Sequence, residues 1–182
     1  MTRAAQSTRF PAKFTLIAAA NPCPCGYSML NLEGKQCSCS ELQVRKYRKK
    51  LSGPILDRID LQVFVKPIPV KDLSQASESE NSDMIKQRIL RARAIQLARF
   101  SHLQNCYTNG EMSVREIKQN CSLDTNAQSL LEQAITRLSL SARAYNRLLK
   151  IARTIADMEE SSSVQSVHVA EALQYRLAQS WS

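Results

Sequence analysis

The amino-acid sequence predicts an α/β segment followed by an all-α segment, and three observations carry that reading. Phe14–Ala20 is an apolar run, interrupted only by Thr15, with the length of a strand buried on both faces, as in a parallel sheet covered by helices. From about residue 82 onward the apolar residues recur only at helical spacing. Between these regions, Lys66 to Ser82 turns to Pro, Ser, Glu, Gln and Asn, with too little apolar surface to fold on its own. The 182 residues are enough for two small domains, and the expected division is 1–66, a linker over 67–82, and 83–182.

Within the first part, the apolar run ends at Asn21-Pro22. Pro22 lacks a ladder donor and stops the strand, which leaves Asn21 at the strand end, where open α/β sheets bind ligands. Ser40-Glu-Leu-Gln43 has the form of a capping box and predicts a helix running to about Leu51. Val44, Tyr47 and Leu51 fall on one face of it, and Arg45, Lys46, Arg48, Lys49 and Lys50 cover the rest. Gly53-Pro54 ends that helix, and Pro54 suits the first turn of a short new one through Arg58. Leu61, Val63 and Val65 alternate with Gln62 and Phe64 as a second strand.

The second part opens with a helix near Ser82, on which Ile85, Ile89 and Ala92 repeat at helical spacing. Ser113-Val-Arg-Glu116 is another capping box, placed after an Asn109-Gly110 turn. Leu130, Leu131, Ile135 and Leu138 mark a third helix, Leu148, Ile151 and Ile155 a fourth, and Val169, Ala172 and Leu173 a fifth. Short polar turns between them predict a small bundle.

Twenty-five Lys and Arg against sixteen Asp and Glu leave a formal charge of +9, which favours polyanionic partners such as nucleic acid or nucleotide phosphates. A basic surface without such a partner is the plainer alternative. No run of about eighteen apolar residues exists for a membrane span, and the N-terminus lacks the apolar core of a signal peptide, so a cytoplasmic location is expected. Only four glycines are present, at 26, 34, 53 and 110, and none completes G-x-x-x-x-G-K-[ST] because Gly34-Lys35 is followed by Gln36. Nor does any apolar strand end in Asp-Glu. These residues by themselves do not hold Mg-ATP in the P-loop manner.

Four of the six cysteines cluster, as Cys23-x-Cys25 and Cys37-x-Cys39. Each pair presents two sulfurs from one tight turn, and tetrahedral zinc takes four such ligands. Pro22 and Pro24 stiffen the first turn. Four thiolates would leave no open coordination position, so the metal would be structural. The spacing is one residue shorter than the common Cys-x2-Cys, and buried thiols or disulfides remain alternatives. Cys106 and Cys121 stand alone and read as small buried hydrophobes.

Two arginines occupy unfavourable places. Arg58 lies between Asp57 and Asp60, where it forms either a surface ion pair or a planar donor fork aimed at phosphate. Arg143, in Ser141-Ala-Arg-Ala, puts a cation in the first turn of a helix, where the macrodipole disfavours it by roughly 0.3–1 kcal/mol. A nearby anion would offset that cost, and an exposed helical arginine is the plainer reading.

As ordered strings, Ala20–Tyr27, the second Cys-x-Cys pair, Tyr47–Leu61 and Leu140–Asp157 resemble the ComM/YifB family, AAA+ ATPases related to the magnesium-chelatase ATPase subunit. Val167–Arg176 resembles the family's closing helix, which gives His168 a packing role rather than a catalytic one. The resemblance implies the C-terminal part of an AAA+ P-loop NTPase core, followed by a helical lid. It implies that Asn21 acts as sensor 1 near the γ-phosphate, that Arg58 is an arginine finger offered to a neighbouring subunit's ATP, and that Arg143 is the sensor 2 arginine of the lid. It further implies ATP and Mg2+ as ligands of the intact protein and a homo-oligomeric ring, hexameric in the family.

The family's P-loop, Walker B acidic pair and N-terminal Lon-protease-like domain have no counterpart in these residues. The chain is therefore expected to be the C-terminal part of a longer protein, and ATP hydrolysis by it alone is not expected. The function that follows is that of an ATP-driven motor on DNA, a helicase promoting branch migration in natural transformation. Its basic helix would touch phosphate or simply be solvated. A non-catalytic, zinc-containing nucleic-acid-binding module is the alternative, although aromatics make up only 5% of the chain and form no stacking series. A tetrapyrrole chelatase subunit is a third reading, which the paired Cys-x-Cys insertion opposes.

Overall fold

A computed structural model describes residues 2–3, 6–7, 12–28, 36–50, 53–56, 58–66, 68 and 80–177. Near the start, β1 (Thr2–Arg3) pairs antiparallel with β2 (Gln6–Ser7). Two helices follow in the first part, α1 (Glu41–Arg48) and the single turn α2 (Gly53–Leu56). The second part is helical: α3 (Ser82–Arg99), a 3-10 turn (Asn109–Glu111), α4 (Val114–Asn120), α5 (Thr125–Leu138), α6 (Ala142–Met158) and α7 (Ser166–Leu177).

Side-chain caps set the helix starts. The Asn81 carboxamide accepts from Asp83 N–H at 3.0 Å, Asp124 Oδ1 from Ala127 N–H at 2.6 Å, and Ser141 Oγ from Ala144 N–H at 3.2 Å. Glu116 reaches back to the Ser113 N–H at 2.7 Å, the reciprocal half of a capping box. At the end of α5, Ser139 takes the left-handed conformation (φ 47°), and Leu140 N–H closes onto the Ile135 carbonyl.

The amphipathic α6 lies at the centre, packed against α3, α4, α7 and the 3-10 turn, while α5 packs on α7. Ala152 and Ala156 are fully buried small residues that let neighbouring helices approach, and Leu131, Leu148, Val164 and Val169 fill the space around them. Each such aliphatic side chain contributes about 1.5–3 kcal/mol by leaving water. Cys106 and Cys121 are members of this core. Burial pushes the Cys121 thiol up to about 11, so it remains a neutral donor, directed at the Leu149 carbonyl.

A polar network also crosses the core. Asp157, wholly buried, accepts from both Arg99 Nη atoms at 2.7 and 2.5 Å, from Asn109 Nδ2 at 2.7 Å and from Arg153 Nε at 3.0 Å. Arg153 spends its remaining donors on the Ser161 and Ser162 carbonyls, which fastens the loop before α7. At the start of α7, buried His168 accepts the Gln165 N–H at 2.9 Å, and its Nε2 lies 2.9 Å from Glu159 Oε2. That is the packing role expected of it.

The helices fall near where their periodicity places them, with differences: α2 is a single turn ending at Leu56 rather than running through Arg58, Leu138 at the end of α5 is exposed, and α3 departs from its expected face. Ala92 is buried, but Ile85 and Ile89 are 37% and 47% exposed, because α3 docks through its C-terminal half at Ala92, Gln96 and Phe100.

The sheet expected at the start does not form among the described residues. Residues 12–20 are extended and exposed, with Phe14 at 75% and Ile17 at 92%. Leu61, Val63 and Val65 likewise face solvent. A doubly buried strand takes both its hydrogen bonds and its cover from flanking elements, and no described strand runs beside either segment. Leu51, Asp57 and most of the expected 67–82 linker lie outside the described residues. No helix among the described residues is long and apolar enough to cross a membrane.

Candidate metal centre

Two turns bring the four clustered cysteines together. Gly26, at φ 86°, closes the first by donating its N–H to the Cys23 carbonyl at 3.0 Å, a conformation that favours glycine. Ser28 N–H then points at Cys23 Sγ from 3.2 Å. The second pair leads directly into α1, whose capping box joins Ser40 Oγ to Gln43 N–H and Gln43 Oε1 to Ser40 N–H.

The sulfurs of Cys23, Cys25, Cys37 and Cys39 all lie within 4.8 Å of one another. Cys23 and Cys25 are 3.3 Å apart, Cys25 and Cys37 3.5 Å, and Cys23 and Cys37 3.7 Å. A disulfide would need about 2.05 Å, and all four are free thiols. Zinc–sulfur bonds of about 2.3 Å in a tetrahedron separate the sulfurs by about 3.8 Å, so the donor set fits such an ion. Its electrostatics agree with that fit. The Tyr27 backbone N–H is the main cause bringing the Cys25 thiol down to about 5, with Cys23 and Cys39 also assisting. At Cys39 the Cys25 backbone pulls downward, yet desolvation and three neighbouring sulfurs outweigh it and carry the thiol up to about 12. One thiolate thus suppresses ionisation of the next, and a bound dication relieves that repulsion.

Arg48 was grouped by periodicity with the solvent-facing cations of α1, and the structure corrects this. It is half-buried, with Nε 3.4 Å from the Pro22 carbonyl and Nη2 3.4 Å from Ser28 Oγ, so it clamps α1 to the first cysteine turn. The signal was available: Arg48 lies one turn beyond Val44 and beside Tyr47, on the inward side of the helix.

The remaining site residues occupy three separate segments. Asn21 is exposed at the end of the extended segment, with its carboxamide 4.0 Å from where a Cβ on Gly26 would stand. Arg58 is exposed in the turn after α2, where its N–H donates to the Ile55 carbonyl at 2.8 Å. Arg143 is exposed in the first turn of α6. Two contacts that sequence reasoning missed tie the segment after α2 to the helical part: Arg147 Nε on α6 meets Asp60 Oδ1 at 3.1 Å, and Gln62 N–H donates to the Tyr175 carbonyl of α7 at 2.9 Å. A similar tie joins Lys13 to Glu111 at 2.6 Å. Such pairings between distant segments leave no periodic trace in a sequence.

Residues 79–176 match the family model described as magnesium chelatase, subunit ChlI C-terminal, and residues 1–73 match that of magnesium chelatase, subunit ChlI. The chain is 38% identical to competence protein ComM of Haemophilus influenzae over 177 residues, covering 97% of this chain and 33% of that protein. It is 38% and 37% identical to the YifB proteins of Salmonella typhimurium and Escherichia coli over the same lengths. It spans about a third of these relatives. Matched along both of its parts, the chain belongs to the magnesium chelatase ChlI family and within it is similar to ComM and YifB.

Proposed function

We propose that this chain is the C-terminal portion of a ComM-like AAA+ ATPase, a homo-oligomeric and ring-shaped motor that acts on DNA. The observation that carries this reading is the 38% identity to competence protein ComM along 97% of the chain. In this reading residues 12–20 and 61–65 are strands of a sheet completed by the part of the relatives that the chain does not cover. That accounts for their exposed apolar side chains. Asn21, at one strand end, orients the water that attacks the γ-phosphate. Arg58 reaches the ATP of the neighbouring subunit, and Arg143 contacts the nucleotide from the lid. Their task is to stabilise charge spreading over phosphate oxygens, which positioned donors and cations do most strongly where water is excluded. Mg2+ and the β- and γ-phosphates would be held by a P-loop outside these residues. Zinc on Cys23, Cys25, Cys37 and Cys39 supplies a closed structural crosslink.

The test is ATP turnover, with and without DNA, by the polypeptide comprising this chain and whatever its gene encodes in frame ahead of it. DNA-stimulated turnover that falls at least 10²-fold, roughly, in Arg58→Ala supports the reading. Absence of nucleotide binding overturns it. A second reading, a metal-containing nucleic-acid-binding module without catalysis, is favoured by one observation: the cysteine cluster and its clamp assemble wholly between Pro22 and Arg48.

A further inference from the structure

The sides of α1 differ sharply. At 100° per residue, Val44, Tyr47 and Arg48 occupy one side and are half-buried, whereas Arg45, Lys46, Lys49 and Lys50 span an arc of about 140° on the other and are exposed. The C-cap Lys49 keeps helical geometry (φ −59°, ψ −21°), and Lys50 N–H bonds the Tyr47 carbonyl, so the arc continues past the last helical residue. No ion pair among the described residues engages any of these four cations, although carboxylates elsewhere recruit Lys13, Arg88, Arg91 and Arg147. Arg48, on the opposite side, fastens the helix to the turn that carries Cys23 and Cys25, through Pro22 and Ser28.

We infer that the outward face of α1 is a contact for the phosphate backbone of DNA, and that the cysteine cluster holds this face in place through Arg48. The inference rests on the proposed reading for its partner and its metal, and adds the element that makes the contact and the device that controls it. Helix-borne cations at a pitch of one turn follow a phosphate strand without reading its sequence. Binding is therefore sequence-tolerant, and because each neutralised phosphate releases counterions, it is steeply salt-dependent. Losing the metal frees the first cysteine turn, Arg48 loses its hold on the Pro22 carbonyl and Ser28 Oγ, and the cationic face is no longer held.

The experiment uses the full 182-residue chain and a labelled random-sequence DNA duplex, with affinity measured by anisotropy between about 50 and 200 mM salt. Four phosphate contacts give a log–log slope near −3.6, or roughly 10²-fold loss of affinity across that range. The quadruple variant Arg45→Gln, Lys46→Gln, Lys49→Gln, Lys50→Gln should flatten most of that slope while keeping helical circular dichroism and zinc content. Arg48→Gln, which keeps all four sulfurs, and zinc chelation should each weaken binding, and chelation should add little in the quadruple variant. An unchanged slope in the quadruple variant overturns the contact. A normal slope after both chelation and Arg48→Gln overturns the control by the cluster. Either failure leaves DNA-stimulated ATP turnover to be judged separately, so the two readings fail independently.

Discussion

The described residues of 12–66 and those of 80–177 solve the same physical problem in opposite ways. The helical part buries its apolar stripes against one another and places even its charges, Arg153 and Asp157, in a satisfied interior network. The first part leaves Phe14, Ile17, Val63 and Val65 exposed and gathers its order around four sulfurs and one arginine clamp. A helix satisfies its own backbone, so a bundle closes with local segments alone. A strand depends on neighbours for both hydrogen bonds and cover. One region is therefore held by a continuous core and the other is organised around four sulfurs and the Arg48 clamp, and each should break in its own way.

The largest effect is expected at Asp157. Asp157→Ala strands two arginine side chains, one of them 1% exposed, and should cost about 3–5 kcal/mol in urea unfolding followed by far-UV circular dichroism. Leu148→Ala should cost about 2–5 kcal/mol by opening a cavity beside α6. Neither should change metal content. Cys37→Ser should do the reverse: elemental analysis should lose about one zinc per chain, with the urea midpoint of the helical part unmoved. A common loss of both properties in either variant would erase the contrast.

Smaller effects probe the ties between the regions. The Lys13 ammonium, assisted by the Tyr107 and Thr108 N–H groups, holds the Glu111 carboxyl down at about 2, against an ordinary value of 4.5. A depressed folded-state pKa contributes stability that is complete above about pH 4.5 and is lost as the pH falls toward about 2. The stability difference between the native chain and Glu111→Gln should therefore shrink across that window and stay constant above it, as read from unfolding midpoints at several pH values. Asp60→Asn removes a largely exposed pair with Arg147 and should shift stability by less than about 1 kcal/mol. A larger shift would show the two regions to be energetically fused.

Much of the helical part was legible because its signals are local. The Ser113 capping box, the helix start at Ser141 and the apolar repeats of α5 and α6 each act within a turn or two of chain, whereas the Asn81 and Asp124 caps were not picked out. The cysteine cluster was legible for the same reason, as two tight turns with two ligands each. The buried network was not. Arg99, Asn109 and Asp157 meet across as many as 58 positions, and nothing in a charged residue's neighbours distinguishes an interior arginine from a solvated one. The inward side of Arg48 was within reach of a helical wheel but was masked by its four cationic neighbours.

By itself the sequence determined which segments are helical, where some of them start, which sulfurs can converge, and the residue strings that mark the family. These depend on backbone geometry and side chains a few positions apart. Tertiary structure alone decided that Asp157 would be the centre of a core ion network, that α3 would dock by one half, and that Asp60 would meet Arg147. Those outcomes depend on how far apart in sequence two partners can lie and still leave water together, which no local pattern encodes.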